Sequence, residues 1–374
     1  MQNYLDYISI KGFRSIRSIE KLELRPINIL IGANGAGKSN FVEVFSFLNA
    51  IRRGRLRNYT AERGGADTIL HFGSKITPEI DIELLFSNKV NGYKISLMRT
   101  DYDKLYINDE FCSFWNEETY SADAPYTMSL KERAVGDEAG ISQPPSEENT
   151  VRSVKSLLDS LLVYHFHDTS KNSPMKRTSN IYDNKFLRPD GSNLPAYLRF
   201  LKKKYPSNYT IIVDEVRGVA PFINEFQLEP NSENEKTIRL EWIHKLSEQY
   251  FDISSLSDGT IRFICLATLL LQPARERPSI ILLDEPELGL HPYAISILAS
   301  MVKSAATETQ IIISTQSSLL IDDFEAEDIL VTELENGATT LARLQSSELE
   351  EWLEDYSLGE LWEKNHFGGR PKHG

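Results

Sequence analysis

The sequence predicts an α/β fold with a largely parallel central sheet and a separate antiparallel part. Three apolar runs are typical of strands buried on both faces: 27–31, 279–283 and 310–314. Apolar segments of helical length alternate with the last two runs, at 261–271 and 293–306, and such alternation favours parallel strands joined by helices. Apolar and polar residues instead alternate one by one at 80–86 and 93–99, which is typical of antiparallel strands with one solvated face.

The N-terminal lobe is predicted to span residues 1–100. It begins with a strand at 7–10, a turn at Lys11-Gly12 and a second β-rich stretch. The apolar run 27–31 then ends in glycine, and an apolar helix follows Ser39. A buried strand therefore feeds a glycine-rich loop and a helix.

Residues 101–234 are predicted to form an inserted lid region that is partly helical. The stretch 101–150 is polar and reads as irregular, and helices are expected at about 151–162 and at 194–204. The segment 210–219 fits either a helix or a strand.

Residues 235–345 are predicted to form the C-terminal lobe, so we expect one domain over residues 1–374. The tail, 346–374, is acidic, and leucine and tryptophan are interleaved with its carboxylates as far as Glu363. This pattern predicts an amphipathic closing helix, and docking of a partner protein is the alternative.

The composition bounds the class of protein. Of the 374 residues, 41% are hydrophobic, which is enough for a sizeable core. No run approaches the roughly 18 apolar residues of a membrane span, and no secretory signal opens the chain, so we expect a cytoplasmic protein. The two cysteines, Cys112 and Cys265, fit no disulfide or zinc pattern. The net charge of −13 argues against a protein that coats nucleic acid but allows a local basic patch.

The glycine-rich loop reads Gly-Ala-Asn-Gly-Ala-Gly-Lys-Ser and fits the P-loop pattern. Its small residues expose backbone N–H groups to phosphate, and the next helix presents its positive end. We expect Lys38 to reach the β- and γ-phosphates of ATP and the Ser39 hydroxyl to ligate Mg²⁺. The predicted nucleotide-binding residues of this segment are Gly32, Asn34, Gly35, Ala36, Gly37, Lys38, Ser39 and Asn40.

Two carboxylates, Asp284 and Glu285, follow the apolar run 279–283, at the edge where open α/β sheets bind ligands. An acidic pair after a strand is by itself more often a solvated turn. Beside a P-loop the pair favours catalysis: Asp284 is expected to hold Mg²⁺, through water, and Glu285 to polarise the attacking water.

The segment Leu256-Ser257-Asp258-Gly259-Thr260 stands directly before the helix 261–271. Ser257 or Asp258 fits an N-cap that satisfies the free N–H groups of the helix. The same helix terminus and the Ser257 hydroxyl also fit a γ-phosphate supplied by another subunit. Taken alone, the segment favours the cap.

The order of these motifs resembles ATP-binding-cassette ATPases of the RecF/SMC type. P-loop, long insertion, LSDGT, ILLDEPELGLHP and ISTQS follow one another, and residues 10–16 resemble that group's first strand and turn. The resemblance covers about 1–100 and 235–345, and the rest resembles small stand-alone bacterial ATPases related to the ATPase part of OLD-type defence nucleases. It implies a P-loop ABC-type head with an antiparallel β subdomain. It further implies a head-to-tail homodimer, in which Ser257 and Gly259 of one head close over ATP on the other and Glu285 is the general base.

The chain departs from the family pattern at two positions. Asp258 stands where transporter ATPases usually carry glycine, and Gln316 stands where many relatives place a switch-loop histidine. We expect Gln316 to orient water or sense the γ-phosphate. No glutamine between Lys38 and Arg99 marks the Q-loop, so that role stays unassigned.

Two further residues have positions that the resemblance interprets. Arg14 is expected to approach the nucleotide, and a surface arginine is the alternative. His291 falls where the resemblance places the dimer-contacting D-loop, and packing at a helix start is the alternative.

An arginine cluster is the best basic patch for DNA, and it comprises Arg52, Arg53, Arg55, Arg57 and Arg63. A second cluster, formed by His165, His167 and Asp168, invites a metal-site interpretation. Alternation along a predicted strand and the lack of a partnering carboxylate cluster favour a structural role for these three residues.

Our first hypothesis is an ATPase that acts as a dimerisation switch in DNA repair, DNA maintenance or defence against phage DNA. ATP-driven closure would alter bound DNA or a separate nuclease or effector. The chain leaves no room for the nuclease domain that related defence ATPases carry, so cleavage is expected to belong to another protein.

Two other classes of function compete with this hypothesis. The ATPase subunit of a membrane transporter has the same head chemistry, but the long insertion, the Phe13-Arg14-Ser15-Ile16 beginning and LSDGT count against it. A metabolic kinase would leave LSDGT and Glu285 without a role.

Overall fold

The computed structural model describes residues 4–116, 125–144, 147–170 and 172–369. The central sheet has six strands: β3 (Ile27–Ile31), β8 (Leu162–Tyr164), β15 (Ile280–Asp284), β16 (Gln310–Thr315), β17 (Ile329–Glu335) and β18 (Ala338–Arg343). Their order is β18-β17-β3-β16-β15-β8. All neighbours are parallel except β17 and β18, which form an antiparallel hairpin. The predicted mixed, largely parallel core is confirmed.

The central strands are apolar on both faces because both faces are covered. In β3, Ile29 and Ile31 belong to one hydrophobic core and Leu30 to another, as expected when successive side chains point to opposite faces. Strand β15 divides in the same way, with Ile281 on one face and Leu282 on the other. The sheet therefore separates two cores.

Helices occupy both sides of this sheet and the surrounding regions. Their bounds are α1 (Lys38–Arg52), α2 (Leu56–Glu62), α3 (Ala66–Ile69), α4 (Asn149–Asp159), α5 (Leu194–Lys204), α6 (Pro206–Val219), α7 (Asp258–Leu271), α8 (Pro292–Ala305), α9 (Ser318–Ile321), α10 (Ser346–Leu353) and α11 (Leu358–Glu363). Helices α7 and α8 confirm the predicted helices at 261–271 and 293–306. Helix α6 decides the segment 210–219, which fitted either a helix or a strand.

An antiparallel sheet covers the α1 side. Its strands are β1 (Leu5–Phe13), β2 (Ile16–Glu23), β4 (Glu79–Phe86), β5 (Asn91–Arg99), β6 (Leu105–Phe114) and β7 (Tyr126–Ser129). The order is β2-β1-β4-β5-β6-β7.

This sheet corrects two predictions. The predicted turn at Lys11-Gly12 lies inside β1, because Lys11 pairs with Ser18 of β2, and the turn is at Arg14-Ser15. The predicted irregular stretch 101–150 contains β6 and β7, which extend the sheet edge formed by β5. The run Asn108-Asp109-Glu110 makes β6 look like a loop in sequence, although Glu110 is buried and its two neighbours are half-buried.

The middle region adds two small sheets beside α5 and α6. One comprises β10 (Ile223–Gln227), β13 (Glu241–His244) and β14 (Tyr250–Asp252), and the other β9 (Ser179–Asn180), β11 (Pro230–Asn231) and β12 (Asn234–Ile238). The predicted helices at 151–162 and 194–204 correspond to α4 and α5, but Leu162 already belongs to β8.

The acidic tail contains two short helices, α10 and α11, where one closing helix was predicted. Ser357 ends the break between them and caps α11, with Glu360 completing a capping box. Leu349 and Leu361 are buried in the core, so the amphipathic interpretation is confirmed for the described part of the tail. Residues 370–374 of the predicted tail lie outside the described residues.

Candidate functional site

Three strands of the central sheet deliver the P-loop, the acidic pair and Gln316 to one edge. Strand β3 leads into the P-loop, β15 ends at Asp284, and β16 ends at Thr315 just before Gln316. Between them lies a cavity of about 190 Å³. Its walls are Ala33, Asn34, Gly35, Gly37, Lys38, Ser39, Asn40, Glu285 and Gln316. The sequence placed these motifs far apart, and the parallel sheet brings them together.

The P-loop backbone needs glycine at Gly37. This residue has φ of 103°, and a Cβ there would lie 1.9 Å from the Thr339 hydroxyl oxygen. That hydroxyl donates to the Ala36 carbonyl and lies 2.7 Å from the Ser15 hydroxyl, which in turn accepts from the Asn40 amide at 2.6 Å. Thr339 and Ser15 thus hold the loop in shape.

The Lys38 ammonium is held inside the P-loop. It donates to the carbonyls of Gly32, at 2.6 Å, and Ala33, at 3.1 Å. Burial lowers the pKa of Lys38, while the nearby carboxylates of Glu285 and Asp284 act against that shift. A buried cation facing a small polar cavity fits an anionic phosphate as its partner.

A row of three carboxylates meets three consecutive side chains of the switch segment. The Ser314 hydroxyl donates to Asp284 at 2.6 Å, and the Gln316 amide donates to Glu285 at 2.5 Å. Glu285 has φ of 41°, a strained value for a residue with a side chain, and its N–H donates to the Ser314 carbonyl. The structure therefore brings the predicted residues Glu285 and Gln316 into direct contact.

Glu287 is the third carboxylate, and the sequence interpretation missed it. Its Oε1 accepts from the Thr315 hydroxyl at 2.5 Å and from the Gln316 N–H at 3.3 Å, while Oε2 has no partner among the described residues. Burial raises the pKa of Glu287. It fixes the backbone that carries Gln316. The available signal was its spacing, two residues after Glu285.

The LSDGT segment lies outside this cavity. Ser257 caps α7, with its hydroxyl accepting from the Thr260 N–H at 3.2 Å, and the Ser257 side chain is exposed. Gly259 packs so tightly that a Cβ would lie 2.3 Å from the Gly289 carbonyl oxygen. Neither residue lines the cavity of its own head. The cap is present, and the helix terminus stays open to a second molecule.

Arg14 lines a second cavity, of about 750 Å³, beside the P-loop. The two cavities share Gly35 and Asn40 in their walls. The Arg14 guanidinium lies 3.9 Å from Glu43, and its Nε has no partner among the described residues. Arg14 therefore lies close to the P-loop, and its approach to a bound nucleotide stays a prediction.

His291 caps the start of α8, because its Nδ1 accepts from the Tyr293 N–H at 3.3 Å. Packing at a helix start is thus observed, and contact with a second head stays a prediction.

The arginine cluster is divided by the fold. Arg52 is mostly covered and forms a 2.6 Å ion pair with Asp159, and Arg63 pairs with Glu43 at 2.6 Å. Arg53, Arg55 and Arg57 are exposed.

The histidine cluster has a different carboxylate from the predicted one. His165 and His167 lie beside Asp284, and the ligand atoms of these three residues are all within 4.8 Å of one another. Asp168 instead accepts from the Ser170 N–H. The sequence favoured a structural role for the histidines because Asp284, the carboxylate that joins them, is distant in the sequence.

Comparisons with known proteins give one family and a common fold. The model of the family described as "AAA domain, putative AbiEii toxin, Type IV TA system" matches residues 27–322. No curated protein matches the chain.

Two solved structures share the fold. A SmcHead bound to the C-winged helix domain of ScpA is 14% identical with a TM-score of 0.59, over 93% of this chain and 99% of that chain. An Smc head domain with an extended coiled coil, bound to the C-terminal domain of ScpA from Pyrococcus furiosus, is 13% identical with a TM-score of 0.57, over 94% and 99%. The predicted P-loop head fold of the RecF/SMC type is confirmed. Within the described ranges, no helix has the length and apolar character needed to cross a membrane.

Proposed function

Because the chain belongs to the AAA-domain family that its residues 27–322 match, we propose that it binds ATP with Mg²⁺ and hydrolyses the ATP at a site completed by a second head. The observation that carries this proposal is the convergence of Lys38, Glu285 and Gln316 on one cavity beside the glycine cradle. The cradle and the buried ammonium fit a polyphosphate. A kinase that used only the P-loop would leave the LSDGT segment, where Ser257 is exposed, without a role.

The residues of the cavity take distinct roles in this proposal. The backbone N–H groups of the loop and Lys38 bind phosphate oxygens, and the exposed Ser39 hydroxyl together with Asp284 would hold Mg²⁺. Bound Mg²⁺ would supply charge neutralisation for the transferred phosphoryl group. Glu285 accepts a proton from the attacking water, and the Gln316 amide, already bonded to that carboxylate, orients it.

A second head enters the proposal because the LSDGT segment does not line the cavity of its own head. Ser257 stands exposed at the N-terminus of α7 and contributes nothing to its own cavity. The free N–H groups of a helix start favour an anion. In a head-to-tail homodimer, Ser257 and Gly259 would close over the γ-phosphate on the facing P-loop. ATP would thereby control dimerisation.

The dimer would act as a switch in DNA maintenance or anti-phage defence, regulating a separate nuclease or effector. The exposed Arg53, Arg55 and Arg57 support direct contact with DNA, whereas Arg52 is engaged with Asp159. Replacing the three exposed arginines by alanine should weaken DNA binding. The slope of the logarithm of the binding constant against the logarithm of the salt concentration should become shallower by roughly 0.9 per lost phosphate contact. Unchanged binding in a salt titration would remove DNA from the proposal.

The first experiment compares the wild type with Glu285→Gln. Steady-state ATP turnover should fall by about 10²- to 10⁴-fold in the variant, the usual contribution of a general base. Sedimentation of the variant should show a monomer without nucleotide and a dimer with ATP and Mg²⁺, because binding persists while hydrolysis stops. Glu350→Gln, an exposed change on α10, is the matched control and should leave both measurements unchanged. A monomer that hydrolyses ATP regardless of residue 285 would refute the composite site.

A further inference from the structure

Two histidines lie at the end of β8, next to the strand that carries Asp284. Strands β8 and β15 are parallel, and Tyr164 lies opposite Leu283. The residues that follow these two, His165 and Asp284, therefore lie side by side. The His165 Nδ1 lies 3.9 Å from the Asp284 Oδ2. His167 completes the group, and one ligand atom of each residue lies within 4.8 Å of the others. The pairing of two strands therefore creates a cluster that no local sequence pattern shows.

The backbone of this histidine segment is fixed by a buried arginine. Arg262 of α7 donates through Nε to the Phe166 carbonyl at 2.9 Å and through a terminal nitrogen to the His167 carbonyl at 3.4 Å. The His165 N–H donates to the Pro189 carbonyl at 3.0 Å. The imidazoles are thus carried by a held segment and not by a free loop.

The carboxylate is also oriented. The Ser314 hydroxyl donates to Asp284 Oδ1 at 2.6 Å, and this leaves Oδ2 as the oxygen on the His165 side. Hydrogen bonds of this kind orient the ligands of metal sites and raise their affinity. Two imidazoles and one oriented carboxylate oxygen make a donor set that suits divalent transition metals better than Mg²⁺, which prefers oxygen ligands.

The distances fit a site that closes on its ion. Zinc–nitrogen and zinc–oxygen bonds are about 2.0 to 2.2 Å long, so two ligand atoms of one ion are at most about 4.4 Å apart. The observed upper separation of 4.8 Å needs only a small side-chain adjustment. His165 is half exposed, so an ion could enter from solvent.

We propose that His165, His167 and Asp284 bind one divalent transition-metal ion of the zinc and cobalt class. The site rests on its own ligands and does not require ATP. It nevertheless touches the proposed function, because Asp284 is shared with the Mg²⁺ role and directly precedes Glu285 in the nucleotide cavity. A transition metal held by the histidines would occupy Asp284 and compete with its use by Mg²⁺.

The test uses the full chain without nucleotide and Co²⁺ as the probe. Visible absorption should report nitrogen ligation of one Co²⁺ per chain, and calorimetry should give its Kd. His165→Gln and His167→Gln should each weaken binding at least about tenfold, since loss of even a supporting group costs that much. The matched control, His244→Gln, changes a histidine of β13 in another sheet and should leave the Kd unchanged. Circular dichroism checks that each variant is folded.

Two results would overturn the proposal. One is a wild type that shows no nitrogen-ligated Co²⁺ spectrum. The other is equal affinity in the wild type and in the folded double variant His165→Gln/His167→Gln, which would mean that Co²⁺ binds surface carboxylates elsewhere. Since nucleotide is absent, a failure of ATP hydrolysis would leave these measurements untouched, and the two proposals can fail separately.

Discussion

The P-loop and the LSDGT segment are both helix starts, but the fold treats them in opposite ways. Gly37 lies in a loop held by Thr339 and Ser15, and its helix, α1, runs between the central and the antiparallel sheets. Ser257 is exposed and satisfies its own helix start. The first terminus lines a cavity shared with Glu285 and Gln316, whereas the second lies on the surface away from that cavity.

The two halves of the proposed site, the P-loop and the LSDGT segment, therefore obtain their shapes from different contacts. The P-loop is shaped by contacts within the chain, so damage to it should appear in a single head. The LSDGT segment is shaped by a local cap, and in the proposed dimer it would meet the nucleotide of the facing head. Variants on the two sides should therefore separate binding from turnover.

The largest effect is expected from Gly37→Ala. The added Cβ would overlap the Thr339 hydroxyl and would strain a residue with φ of 103°. ATP affinity, measured by calorimetry, should fall at least about tenfold, as when a ligand loses one well-placed contact worth about 1.4 kcal/mol.

Gly54→Ala is the matched control, because Gly54 also has positive φ, 63°, but its Cβ would lie at an ordinary 3.5 Å from Ser142. It should lower stability by about 1 kcal/mol and leave ATP affinity unchanged. Equal ATP binding by the wild type and Gly37→Ala would show that the cradle does not hold phosphate.

An intermediate effect is expected from Ser257→Ala. A single head should bind ATP as the wild type does, while turnover should fall about tenfold or more, because a hydrogen-bond donor to the γ-phosphate of the facing head is lost. Loss of the cap itself should cost about 1 kcal/mol of stability.

Ser357→Ala removes a comparable cap, from α11, and controls for that stability loss. If both variants lower turnover equally, capping explains the effect and the second head is not involved. Turnover should also rise more steeply than linearly with protein concentration in the wild type.

The smallest expected effect is on the pH dependence of the free energy of unfolding, which should have opposite signs for Glu287, beside the P-loop cavity, and for Asp258, in the LSDGT segment. Burial raises the pKa of Glu287 above its ordinary 4.5, so its charge costs stability as pH rises past that value. Glu287→Gln should therefore become more stable relative to the wild type as pH rises above 4.5, by on the order of 1 kcal/mol.

Asp258 on the LSDGT side behaves in reverse. A hydrogen bond from Lys176 lowers the pKa of Asp258 below the ordinary 3.8. The charged carboxylate therefore stabilises the folded state above that pH, and this stabilisation is lost in acid. Asp258→Asn should lose stability relative to the wild type at neutral pH, by a small amount because the carboxylate is exposed. Urea unfolding at several pH values measures the stability difference between each variant and the wild type. If the two differences change with pH in the same direction, the predicted opposite signs are wrong.

Much of the site could be predicted because its parts are written as local patterns. The P-loop with its strand, 27–39, and the apolar run with its acidic pair, 280–285, are each continuous in sequence, and the structure joins them at one edge. Strand β6 was missed because Asn108, Asp109 and Glu110 interrupt its apolar residues, and such a polar run looks like a loop in sequence.

The sequence by itself determined the P-loop, the acidic pair and the alternation that makes a parallel core, because backbone geometry and side-chain burial depend on nearby residues. Only the tertiary structure decided which distant side chains meet. Thr339 supports Gly37, Glu287 holds the backbone of Gln316, and His165 stands beside Asp284. These contacts follow from strand order and register, which are set by the packing of whole sheets and leave no mark in a short segment.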